Sequence, residues 1–172
     1  QSFVDLGRIW PASLTAHAAS GAINFSTKGT PMELYPSPTG QFELIAERDV
    51  KLTSTQQSAL FLTDKNPYLL PSAVAPKPDG VNLVTWRNGN LSIVFDYNAG
   101  FDPGFVPDYD FHVTHIEDPD PVRLYSRTGD INDVGGQVPL RLAKSARVRA
   151  GRDLIDLPVW AQNVRDDDLT SV

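Results

Sequence analysis

The 172 residues, 41% hydrophobic and 21% charged, have globular proportions, and a single domain of this length can bury a sizeable core. A net charge of -6 argues against a nucleic-acid partner, whose phosphates require clustered Lys and Arg. With no cysteine the chain has neither disulfides nor thiolate metal sites, and no run approaches the ~20 apolar residues of a membrane-spanning helix.

The 14 prolines and 12 glycines fall between short alternating runs, which favours many short strands over long helices. Residues 1–11 give one short apolar run closing on Trp10-Pro11, and Gln1 without Met or a signal peptide reads as an excised or processed piece. Residues 12–23 form a loose strand, corner and strand, followed by short strands at 22–26 and 31–35. Pro36-Ser37-Pro38-Thr39-Gly40 is a turn in which two prolines fix φ. Residues 42–52 alternate clearly on either side of a corner at Asp49.

Residues 53–80 differ: 56–62 carry the one modest helical pattern, and Pro71, Pro76 and Pro78 follow, so the segment reads as an insertion off the main body. Strands return at 81–96 around Asn88-Gly89-Asn90. Residues 97–115, rich in aromatics and Asp, read as a second insertion. Residues 121–157 supply two further strand–corner–strand units, and 159–172 begin another.

These units echo one another. Residues 121–131, 42–50 and 146–154 share two alternating apolar positions, a small or polar residue and an Asp corner, with Ala150, Arg152 and Asp153 falling where Ala46, Arg48 and Asp49 fall. Leu14, Leu44, Leu83, Leu124 and Val148 recur at irregular spacing, as expected of a stacked coil carrying insertions of different length. Leu44 and Leu124 are then expected in one interior column, and the corner Asp side chains are expected to accept backbone N–H bonds. An antiparallel β-sandwich is the alternative, and strand order separates the two.

Oxygen-rich Asp102, Asp108 and Asp110 are weak calcium candidates, though their spacing fits no EF-hand loop; no other cofactor is expected. His112 and His115 read as a polar surface pair on opposite strand faces. Trp86, Tyr97, Phe101, Phe105 and Tyr109 are binding-surface candidates whose plainer role is a small core beneath the insertion. Arg141, Lys144, Arg147, Arg149 and Arg152 read as an outward strand face, and Asp166 to Asp168 as a solvated loop or a helix start. No nucleophile elbow, phosphate loop, zincin or dinucleotide signature occurs, and no catalytic residue is assigned.

Four strings occur in order: P-S-P-T-G-Q-F-E-L-I-A-E-R-D-V, N-P-Y-L-L-P-S, D-P-D-P-V-R-L-Y-S-R-T-G-D-I, and A-R-V-R-A-G-R-D-L-I-D-L followed by A-Q-N. Together, from Leu34 to about Val172, they resemble the filamentous-haemagglutinin-like exoproteins of bacterial two-partner secretion. The resemblance implies an all-β chain: a right-handed parallel β-helix segment, one β-rich domain over 1–172 with insertions at 53–80 and 97–115. It implies a non-enzymatic structural or adhesive role at the cell surface or in secreted form. The partners would be a host or bacterial surface protein or glycan, and an outer-membrane transporter for the parent protein. The family has no shared catalytic residues to carry over. The Pro-rich and aromatic insertions and the missing secretion-signal region depart from the family pattern and fit an internal fragment. A β-helical polysaccharide-acting enzyme and a calcium-assisted carbohydrate-binding β-sandwich are the alternatives.

Overall fold

The computed structural model describes residues 8–29, 32–56, 58–62 and 114–172. Within them the chain makes repeated passes, each adding short strands in the same order. The first pass holds β1 (Arg8–Trp10), β2 (Leu14–Ala18) and β3 (Ile23–Ser26). The second holds β4 (Met32–Leu34), β5 (Phe42–Ala46) and β6 (Val50–Thr53), and the third β7 (Leu60–Leu62), β8 (Val122–Ser126) and β9 (Ile131–Asp133). The fourth holds β10 (Leu140–Leu142), β11 (Ala146–Arg149) and β12 (Leu154–Ile155), and β13 (Val159–Ala161) opens a fifth.

The strands assemble into three sheets, β1-β4-β7-β10-β13, β2-β5-β8-β11 and β3-β6-β9-β12. Every pairing among them is parallel, and an isolated parallel bridge from Arg147 to Ser171 extends the second sheet. The described residues are therefore all-β, with parallel sheets and no helix. The antiparallel alternative is not the arrangement of these strands: each one pairs with the strand a whole pass away, a connection no hairpin makes.

Alternation along each strand explains this packing. In β5 and β8 the residues alternate between buried and half-buried, so one face of each looks inward. Register stacks Ala16, Leu44, Leu124 and Val148 in one line, and Ile23, Val50, Ile131 and Leu154 in another. Leu44 and Leu124 do share an interior column, both fully buried. Burial of one such side chain contributes about 1.5–3 kcal/mol. Leu14 is displaced from the expected column and sits beside Phe42, with Ala16 opposite Leu44. A two-residue slip keeps the same side chains inward, so alternation alone leaves these registers undistinguished. Leu83 lies outside the described residues.

Two boundaries differ from expectation. The helical pattern at 56–62 ends in a strand: Leu60, Phe61 and Leu62 are all buried, and a short apolar run covered on both faces carries no usable period. Thr53 closes β6, and β7 is part of the first sheet, so the chain up to Leu62 belongs to the body and not to an insertion. Beyond Leu62, the expected insertions fall outside the described residues as far as 113. No helix among the described residues is long and apolar enough to cross a membrane.

The corners between the second and third sheets stack as closely as the strands. A Cβ on Gly129 would lie 2.3 Å from Asp49 Oδ1 and 2.7 Å from Asp49 N, and one on Gly151 would lie 2.3 Å from Arg127 O. Gly21, at the same corner of the first pass, has open space there. Gly129→Ala and Gly151→Ala are each expected to cost about 1–3 kcal/mol in urea unfolding through overpacking. Gly21→Ala should stay within about 0.5 kcal/mol. Equal effects at all three positions would contradict this stacking.

Candidate functional site

Because the passes are in register, outward side chains also form lines, with adjacent strands ~4.8 Å apart. On the second sheet one line runs Thr15, Glu43, Arg123, Arg147 and Ser171, and the next runs His17, Ile45, Tyr125 and Arg149. Glu43 sits between two donors: His17 Nε2 is 2.6 Å from Oε1, and Arg123 Nη1 donates to Oε2 at 3.0 Å. Arg123 also donates to Asp120 at 3.2 Å, and Arg127 pairs with Glu47. Arg147 and Arg149 project outward from β11 and are exposed. Thus charge is balanced around Glu43, and on β11 each of the two lines carries an exposed guanidinium group.

At the adjoining corner the recurring Asp residues form a ladder. Asp49 accepts the N–H of Asp130 at 3.1 Å, and Asp130 accepts the N–H of Asp153 at 3.2 Å. The expected N–H acceptance by corner Asp is present, and it runs from pass to pass. Arg152 braces the ladder, donating to Asp130 at 2.9 Å and to Asp49 at 3.4 Å.

The electrostatics follow from these partners. Burial pushes the Glu43 carboxyl up, but hydrogen bonds from His17 and Arg123 outweigh it and hold the group below its ordinary range. For Asp49 the backbone N–H of Asp130 is the leading cause, with Lys51 and Arg152 assisting against desolvation, and the carboxyl is again held low. Such carboxylates stay ionised at neutral pH and suit cross-bracing and charge display; a general acid needs the opposite shift. Asp133 does have that shift, its carboxyl raised by burial against hydrogen bonds from Val138 and Gln137. It faces inward beside Leu52, fully buried, and accepts the Val138 N–H at 2.8 Å and the Gln137 N–H at 3.0 Å. Its role is to close the corner between the third and first sheets. This residue was not anticipated, although the inward position of Asp in I-N-D ahead of Val134-Gly135-Gly136 is a readable signal.

The other expected site residues separate. Lys144 does not share the outward basic face: it sits at the corner between β10 and β11, buried, with Nζ 2.6 Å from Asp118 Oδ2. Arg141 lies over the Trp160 ring at 4.9 Å. His115 is fully buried and is not a surface residue, because its ring packs against Gly40. Asp166 to Asp168 lie in a loop, where Asp167 pairs with Arg165 and Asp168 accepts the N–H groups of Val164 and Arg165. Trp86, Tyr97, Phe101, Phe105, Tyr109, Asp102, Asp108, Asp110 and His112 lie outside the described residues. Among the described residues no three His, Cys, Asp or Glu side chains are grouped to hold a metal ion.

Comparison of the chain with protein-family models, curated proteins and solved structures found no match.

The lowered carboxyls of Glu43 and Asp49 contribute stability that is fully present above their ordinary values of 4.5 and 3.8 and is lost as pH falls through the lower folded values. The urea midpoint should therefore fall on acidification from about pH 5 to about pH 2.5, and Glu43→Gln with Asp49→Asn should flatten that slope. An unchanged slope in the double variant would show that these two carboxylates are not coupled to folding.

Proposed function

We propose that this chain is a right-handed parallel β-helix segment of a large secreted bacterial exoprotein of the filamentous-haemagglutinin type, acting without catalysis as a rigid stalk and contact surface. The observation that carries this reading is the repeat of three parallel strands per pass with one register throughout. Parallel crossovers are right-handed in nearly all proteins, which supplies the hand. A stack of this kind lengthens by adding passes, and its outer faces present fixed lines of side chains to a partner.

The contact surface in this reading is the outward face of the second sheet, where Arg147 and Arg149 meet a protein or glycan of a host or neighbouring cell. Glu43, Asp49 and Asp130 serve to brace that face. The absence of cysteine suits a chain that crosses an outer-membrane transporter unfolded and acts at the cell surface or after release.

Retention of the purified chain on cultured epithelial and bacterial cells tests the reading. Saturable retention is expected, reduced several-fold by the double variant Arg147→Glu, Arg149→Glu, with no reducing ends released from a polysaccharide panel. Release of reducing ends would assign the chain to the polysaccharide-acting enzymes, and equal retention of both proteins would remove this face from the contact.

A further inference from the structure

The corners joining the first sheet to the second bury a group of ionisable side chains that the contact face does not use. Lys144, in the fourth pass, is 1% exposed. Its Nζ donates to the Gly40 carbonyl of the second pass at 3.0 Å and to Asp118 Oδ2 at 2.6 Å. Asp118 lies in the segment 114–121 that leads into β8. His115 belongs to the same segment and is 0% exposed, with Nδ1 3.9 Å from that Asp118 oxygen. Its ring packs on Gly40, where an added Cβ would sit 3.5 Å from Cε1. The Pro38 carbonyl faces the ring, but neither ring nitrogen reaches full hydrogen-bond geometry.

One ion pair and one hydrogen bond of the same ammonium group thus tie three passes together at one corner, with a buried imidazole beside them. Burial first, then Lys144, push the ring below its ordinary value, while Asp118 and the Pro38 carbonyl pull the other way. Among the described residues no other charged group of the packed elements faces it. Residues 11–13 and 36–41 hold none, Glu117 is exposed, Asp120 is exposed and pairs with Arg123, and Asp168 lies 3.5 Å from the Ser145 hydroxyl. Protonation would place a second buried cation beside Lys144, with one carboxylate between them.

We propose that His115, Asp118 and Lys144 form an acid-sensitive latch: protonation of His115 releases segment 114–121 from the corner while the paired strands stay in place. The inference is independent of the adhesive reading. Above pH 6.5 the ring is neutral whether segment 114–121 is docked or open, and the latch has its full strength. As pH falls through that value the open form takes up a proton that the docked form resists, so docking weakens. At about pH 5.5, one unit lower, the open form gains up to about tenfold in weight.

Hydrogen exchange on the whole chain tests this, with rates corrected for the intrinsic pH dependence. From about pH 7.5 to about pH 5.5, exchange at 114–121 is expected to rise several-fold, up to about tenfold, while β8 stays protected. His115→Gln should abolish the response, and His17→Gln should retain it. Equal protection of the native chain at both pH values, or an undiminished response in His115→Gln, would overturn the proposal. If His115→Gln does not fold, the ring titration of His115 in the native chain decides by NMR. A midpoint below 6.5 accompanied by loss of protection at 114–121 supports the latch, and a midpoint at or above 6.5 overturns it.

Discussion

Parallel pairing between segments a full pass apart is the constraint from which the other features follow. A strand such as β5 has no local partner; its neighbours β2 and β8 lie at residues 14–18 and 122–126. Each pass must therefore return to the same height and register, or every inward side chain of the next pass loses its contacts. Leu44 on Leu124 and Val50 on Ile131 are products of that requirement, and so is the outward line from Glu43 to Arg147.

The corners carry the polar cost of this design. Turning the chain between sheets leaves backbone N–H groups that the strand ladders do not satisfy, and a buried N–H without an acceptor is costly. Asp49 and Asp130 supply acceptors at one corner and Asp133 at the next. At the third corner Lys144 spans from Gly40 to Asp118. Removing one member of such a buried pair typically costs about 3–5 kcal/mol, because the other charge is left without compensation. The same corner admits chain of very different length: residues 143–145 complete it in the fourth pass, whereas residues 63–121 separate β7 from β8 in the third. At that corner the Lys144–Asp118 ion pair joins the fourth pass to the third, and the Lys144–Gly40 hydrogen bond joins it to the second.

Much of this was legible in the residues. The recurrence of Phe42-Glu43-Leu44 and Val122-Arg123-Leu124 with Asp49 and Asp130 pointed to strands, corners and stacking, because period-2 burial and Asx-type bonding are both local properties. What escaped was non-local. Whether Leu14 or Ala16 meets Leu44 depends on register between passes, to which a two-residue period is blind. Whether Leu60-Phe61-Leu62 is helix or strand depends on cover from both sides. The burial of His115 and Lys144 depends on three corners meeting, and neither residue carries a pattern that announces it. Of the candidate contact residues, Arg147 and Arg149 were recognisable from alternation with Ala146 and Val148 as an outward pair.

The central claim is that segments 42–46 and 122–126 are parallel neighbours in one register. Nuclear Overhauser contacts between their backbone protons test this most directly. Contacts placing Leu44 beside Leu124 and Ala46 beside Ser126, with Arg127 N–H protected by its bond to the Ala46 carbonyl, are the predicted result. Contacts of antiparallel sense, or none between these segments in the folded chain, would contradict the account.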